Sequence, residues 1–196
     1  MEMLFSLMSF ALATACTPGP NNIMLTASGV NYGFARSIPH MAGVVAGFII
    51  LLAACAGGLG LLFTSFPAVH TALKVAGGVY LLWLAWKVAN AGRLQRTDSE
   101  SGRPFTFLQA AAFQWVNPKG VLTALSAVAL FVRPPSALTD TILMLAVFAV
   151  ATVIAVTVWT AFGTVVSQAL REQHHAQIFN VVMALLLVVS IVPMVI

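Results

Sequence analysis

The chain has 196 residues, 60% of them hydrophobic and 7% charged, with nine Lys or Arg against five Asp or Glu for a formal charge of +4. A soluble domain carries about 25% charged side chains, so soluble enzymes, nucleic-acid binders and disordered proteins are excluded and lipid is the solvent for most of the surface. At about 20 apolar residues per spanning helix, the length admits six or seven spans and no soluble domain.

Six apolar segments follow in chain order, at residues 3–28, 39–63, 69–89, 105–132, 139–163 and 176–196. They are too long for buried strands and show no period-two alternation, so helices are expected rather than a membrane barrel. The first begins like a secretory leader, and Leu12-Ala13-Thr14-Ala15-Cys16 resembles a lipoprotein cleavage box. It lacks a basic start and stays apolar past Asn22, so it reads as a retained span. Asn31-Tyr32-Gly33 marks the turn that follows it, with Arg36 beyond.

The second segment opens at Pro39 and places His40 at its mouth. Gly43 and Gly47, then Ala54 and Gly58, offer small faces for close helix contact. Cys16 and Cys55 are expected to be buried small hydrophobes. A turn at Ser65-Phe66-Pro67 leads to the third segment, where Trp83 and Trp86 flank Lys87 in the manner of an interfacial belt. The longest connection then carries Arg93, Arg96, Asp98, Glu100 and Arg103. The fourth segment ends at Arg133-Pro134-Pro135, and Asp140 stands at the outer end of the fifth. Ser126, Thr152, Thr157 and Thr160 either line a path or bond their own backbone. His70, His174 and His175 are expected in solvated loops.

Basic residues set the expected orientation. The first, third and fifth connections carry Arg36, then Lys87, Arg93, Arg96 and Arg103, then Arg171, whereas the second and fourth have only Lys74 and Arg133 nearby. The odd connections should face the cytoplasm and both termini the outside. The chain then divides into residues 1–90, a cytoplasmic linker at 91–104, and residues 105–196. Each half holds three spans. Three is odd, so the second half must sit upside down relative to the first, as in the inverted repeats of secondary transporters.

Two polar breaks interrupt this pattern: Thr17-Pro18-Gly19-Pro20-Asn21-Asn22, and Gln114-Trp115-Val116-Asn117-Pro118-Lys119-Gly120. Shifting the second by 98 residues lays Pro118 on Pro20. A helix-interior proline costs about 3 kcal/mol, and freed backbone groups are not tolerated against lipid. A cation at mid-bilayer costs about 2.5 kcal/mol or more, so Lys119 should face an interior path. Half-helices restarting at Asn21 and Lys119 present amide N–H groups to a carboxylate. Carbonyls at residues 17–19 and the Asn21, Asn22 and Asn117 amides suit an ammonium. The competing explanation is a pair of structural kinks.

At these residues the chain resembles the LysE/RhtB family of amino-acid exporters. The first break matches the family's first-helix signature. Gly33-Phe34-Ala35-Arg36-Ser37, residues 74–87 and Phe113-Gln114-Trp115-Val116-Asn117-Pro118-Lys119 match its later helices. Residues 15–23, Cys55-Ala56-Gly57, Ala68-Val69-His70 and residues 83–87 carry a closer likeness to the cysteine/O-acetylserine exporter branch, although homoserine, threonine and leucine exporters share the main motifs.

The resemblance implies an all-α bacterial inner-membrane protein that exports small neutral amino acids on the proton gradient by alternating access. Six transmembrane helices would form two inverted three-helix repeats, the first helix of each broken near mid-membrane. The substrate site is expected at Thr17, Pro18, Gly19, Pro20, Asn21, Asn22, Gln114, Asn117, Pro118 and Lys119. With no Asp or Glu deep in a span, His40 and Lys119 are the coupling candidates. Partners are the amino acid, protons, the bilayer and a second copy of the chain; no nucleic acid, cofactor or metal is expected. A non-transporting scaffold subunit and an intramembrane enzyme are the alternatives, the latter without a supporting motif.

Overall fold

The computed structural model describes residues 2–59, 67–90, 104–170 and 173–190. The turn at Ser65-Phe66, the charged stretch at 91–103 with Arg93, Arg96, Asp98, Glu100 and Arg103, and Arg171, Glu172 and residues 191–196 lie outside the described residues, as do the side chains of His70 and Lys74.

Eight α-helices are described: α1 (Glu2–Cys16), α2 (Pro20–Tyr32), α3 (Phe34–Ala54), α4 (Pro67–Ala89), α5 (Phe107–Val116), α6 (Pro118–Phe131), α7 (Ala137–Ala169) and α8 (Gln173–Val189). A π-helical turn, Cys55–Leu59, extends α3, and a short 3-10 turn, Pro134–Ser136, precedes α7. Among the described residues, two stretches are long and apolar enough to cross a membrane, Phe34–Gly58 and Ala137–Gln168; α1 and α2, bent by 56° at their break, make a third if taken as one span.

Proline chemistry decides the breaks. Thr17 and Asn117 each precede a proline, which disfavours the helical conformation, and Pro20 and Pro118 occupy the first helical position, where a missing N–H costs nothing. Pro39 shows the limit of the same rule. The second segment was expected to open there, but α3 starts at Phe34 and carries Pro39 inside. Gly33 makes the turn at φ +77, and the helical bond that Pro39 cannot make falls in the first two turns, beside the exposed Ala35. At the fifth segment, α7 runs through Gly163 to Ala169, longer than the expected 139–163. His174 and His175 stand in the first turn of α8 and not in a loop, although both are exposed.

Close packing sets the arrangement. α1 and α2 both lie along α7, α3 lies against α5 and α7, and α8 packs on α4 and α2. A Cβ on Gly163 would fall 2.1 Å from the Thr26 carbonyl oxygen, and one on Gly29 would fall 2.3 Å from that of Thr160. Gly43 and Gly47 allow the same approach of α3 to α5, at 2.3 Å from Phe107 O and 2.6 Å from Ala111 O. The expected contact at Ala54 and Gly58 is different in kind. A Cβ on Gly58 would meet nothing within 4 Å, and its φ of +107 serves the turn that ends the helix. Cys55 is buried as expected, but Cys16 is exposed at the end of α1.

Two apolar clusters form the core. One gathers Met24, Leu25, Met41, Val44, Leu81, Leu84, Phe105, Phe113 and Val156. The other gathers Leu7, Phe48, Leu51, Leu52, Val121, Phe131, Met144 and Phe148. Large apolar side chains remain outside, among them Phe5, Leu108, Leu138 and Val165, as a lipid solvent allows.

Candidate functional site

The two breaks, far apart in sequence, meet in space. Lys119 on α6 reaches across and donates from Nζ to the Thr17 carbonyl at 2.6 Å. Gly19 is what admits it, since a Cβ there would lie 2.8 Å from Lys119 Cδ. Asn21 and Gln114 form a reciprocal amide pair: Asn21 Nδ2 donates to Gln114 Oε1 at 2.7 Å and Gln114 Nε2 donates back to Asn21 Oδ1 at 3.1 Å. Gln114 Nε2 also bonds the Ala110 carbonyl at 2.8 Å.

Asn22 does something else. Its Nδ2 donates to the carbonyls of Ala15 and Thr17 at 2.8 and 2.9 Å, closing the frayed end of α1. Those groups would otherwise be orphaned in an apolar setting. The Thr17 hydroxyl caps the same end by donating to Ala13 O.

These residues border a cleft of about 510 Å³ lined by Thr14, Gly19, Asn21, Asn22, Asn117, Lys119, Gly120, Thr123 and Thr152, with Val44, Phe48, Phe148 and Val156 as apolar walls. Its walls come from both core clusters, so the polar seam lies between them.

The cleft presents both hydrogen-bond donors and an acceptor. The first intrahelical bond of α2 runs from Ile23 N–H to Gly19 O, and that of α6 from Val121 N–H to Asn117 O. The amides of Asn21, Asn22, Lys119 and Gly120 therefore lack intrahelical acceptors, and all four residues border the cleft. Two positive helix ends and one ammonium converge there, with no carboxylate in the lining. An acceptor is present too: Asn117 Oδ1 is buried without a hydrogen-bond partner.

All ten sequence-predicted site residues thus lie at or beside the two breaks. Asn21, Asn22, Gly19, Asn117 and Lys119 line the cleft directly. Gln114 acts through Asn21. Thr17 offers its carbonyl to Lys119, and Pro18, Pro20 and Pro118 shape the backbone. Of the four hydroxyl residues weighed as path-lining, Thr152 borders the cleft, Thr160 is buried at the α2–α7 contact, and Ser126 and Thr157 are exposed. Thr14 and Thr123 went unnoticed in the sequence, where a lone threonine in an apolar run has no distinguishing signal.

His40 lies apart from this cleft, 1% exposed in the second turn of α3. Ser28 Oγ and His40 Nδ1 share a hydrogen bond of 3.1 Å. Further along α2, Asn31 and Asn180 form a second reciprocal amide pair, at 2.9 and 3.1 Å, that ties α2 to α8. At the other end of the bundle, Arg133 holds Asp140 through two 2.9 Å bonds, and Ser136 Oγ donates to the same carboxylate at 2.8 Å. That pairing raises the basicity of the Arg133 guanidinium.

Residues 12–193 match the family model described as LysE type translocator. The chain is 33% identical to the cysteine/O-acetylserine efflux protein of Escherichia coli (strain K12), over 95% of this chain and 94% of that protein. The protein of the same description from Shigella sonnei (strain Ss046) matches to the same extent. No solved structure matches the chain.

Proposed function

The chain belongs to the LysE type translocator family, and on that premise we propose that it is a secondary exporter of small neutral amino acids, cysteine/O-acetylserine-like or homoserine/threonine/leucine-like, across a bacterial inner membrane. The observation that carries the reading is the convergence of two restarted helices and Lys119 on one cleft without a carboxylate. The substrate carboxylate lies against the free amides and Lys119, and its ammonium against Asn117 Oδ1. Asn21 and Gln114 hold the α2 end in register with α5.

The exporter spans the membrane six times as two inverted three-helix repeats. The equivalent breaks 98 residues apart support this. So does the exchanged packing: the first broken pair lies along α7, and α5 of the second lies along α3. The termini face the periplasm. The distribution of basic residues supports this orientation, with Arg36, Lys87, Arg93, Arg96, Arg103 and Arg171 on the odd connections and only Lys74 and Arg133 near the even ones. Protons drive export by alternating access, with Lys119 and His40 as the titrating groups, and the chain works alone or as a homo-oligomer.

Uptake of labelled cysteine, O-acetylserine, threonine and leucine into everted vesicles, with and without a proton gradient, tests this. Gradient-dependent accumulation of at least one is expected. Accumulation of none, from vesicles that hold the inserted protein, overturns it.

A further inference from the structure

A second cleft, of about 390 Å³, opens around the far end of α2. It is lined by Ser28, Asn31, His40 and Lys87, over a floor that includes Phe105 and Leu84. None of the central-cleft residues borders it.

Two features point to a ligand. First, His40 Nε2 is buried with no hydrogen-bond partner while Nδ1 is occupied by Ser28. A buried polar atom left unpaired is costly, and such exceptions call for an explanation. Second, Lys87 Nζ is held over the rings of Trp83 and Phe105, at 5.2 and 5.5 Å from their centroids. The imidazole of His40 packs against the same Phe105, 5.3 Å between centroids. Phe105 thus sets a fixed cation and an unspent imidazole nitrogen at one apolar floor. With the proton on Nδ1, donated to Ser28 Oγ, Nε2 is an acceptor, the complement of an ammonium.

We propose that this cleft is a loading site for a zwitterionic amino acid, separate from the central cleft, with Lys87 taking the carboxylate and His40 Nε2 the ammonium. The proposal rests on the exporter reading above, which puts this end of α2 at the cytoplasmic face. The clefts are close in register. His40 borders the loading cleft and Val44, one turn further along α3, borders the central one, a rise of about 6 Å. Met24 and Val44 belong to the apolar cluster between the two. Transfer requires only a short step past them, with a pair of polar ends waiting on each side.

The test is labelled O-acetylserine uptake by the full chain in everted vesicles, where the cytoplasmic face is outside. Lys87→Gln is expected to raise the half-saturating concentration about tenfold, the loss of one charge-assisted hydrogen bond, with the maximal rate within about twofold of wild type. Lys87→Arg should restore the wild-type value, and half-saturation measured by exchange from the periplasmic face should not move. A Lys87→Gln value unchanged from wild type, or raised equally at both faces, overturns the proposal while leaving the exporter reading intact. An effect that disappears in phosphatidylcholine proteoliposomes assigns the cleft to an anionic headgroup and also overturns it. Titration of the purified protein with O-acetylserine, read by Trp83 fluorescence with Trp83→Phe as control, keeps the proposal separable from transport. A Lys87-dependent signal is expected even in a protein that does not transport, and its absence overturns the loading site.

Discussion

Replacing Lys119 by Met separates binding from stability. The variant loses the 2.6 Å bond to the Thr17 carbonyl, and a hydrogen bond made by a charged group contributes about 1.5–3 kcal/mol. It also relieves the cost of a cation within the membrane, about 2.5–3.5 kcal/mol on insertion scales. The terms oppose each other, and their difference runs from about 0.5 kcal/mol destabilising to about 2 kcal/mol stabilising. For a chain of this length that is a melting temperature at most roughly 2 °C lower or 8 °C higher. Gly19 gains room, since Lys119 Cδ is what a Cβ there would meet. The Asn21–Gln114 pair does not depend on the ammonium. Substrate affinity has no such compensation. A carboxylate that loses its cation loses about 10- to 100-fold in binding. The assay pairs melting of the detergent-purified variant with its half-saturating concentration in everted vesicles. Transport at the wild-type rate refutes the role of Lys119. So does a melting point about 10 °C lower with transport falling in proportion, because Lys119 would then be a structural strut. Lys119→Arg separates binding from coupling: it keeps the charge and cannot release the proton, so substrate exchange should persist while gradient-driven uptake fails if Lys119 is the coupling group.

Asn22→Leu removes both bonds that close the end of α1 and should cost about 2–4 kcal/mol, with a lower melting temperature whatever the substrate concentration. Asn21→Ala and Gln114→Ala should be non-additive by about 1 kcal/mol in a double-mutant melting cycle, because either change alone dissolves the reciprocal pair. Gly163→Ala must move α7 from α2 by more than 1 Å to clear the Thr26 carbonyl; a cost of about 1–3 kcal/mol is expected, and Gly57→Ala, with nothing within 4 Å of its Cβ, should produce no such loss.

The helical fold and the two breaks were legible because their causes are local. Pro18, Pro20 and Pro118 act on their own backbone and the residue before, so the restarts, expected at Asn21 and Lys119, were placed within one residue of the starts observed at Pro20 and Pro118. Pro39 was misleading for the same reason. Its effect depends on where in a helix it falls, and Gly33, at φ +77, had already set the start of α3. The division of labour among the asparagines was not legible. Asn21 and Asn22 are adjacent and chemically identical, yet one pairs with Gln114 on α5 and the other closes the end of α1. Gly43 and Gly47 were marked by their spacing, whereas Gly29 and Gly163 carry no such mark and became evident only where α2 meets α7.

The sequence alone determined that this chain belongs in lipid and that it is helical, since composition and proline act without reference to distant residues. Only the tertiary structure decided that the two breaks share one cleft, that Lys119 reaches the Thr17 carbonyl, and that His40 and Lys87 meet at Phe105 around a second cleft. Those outcomes depend on how closely backbones approach, and that distance is set by the side chains of both partners at each crossing.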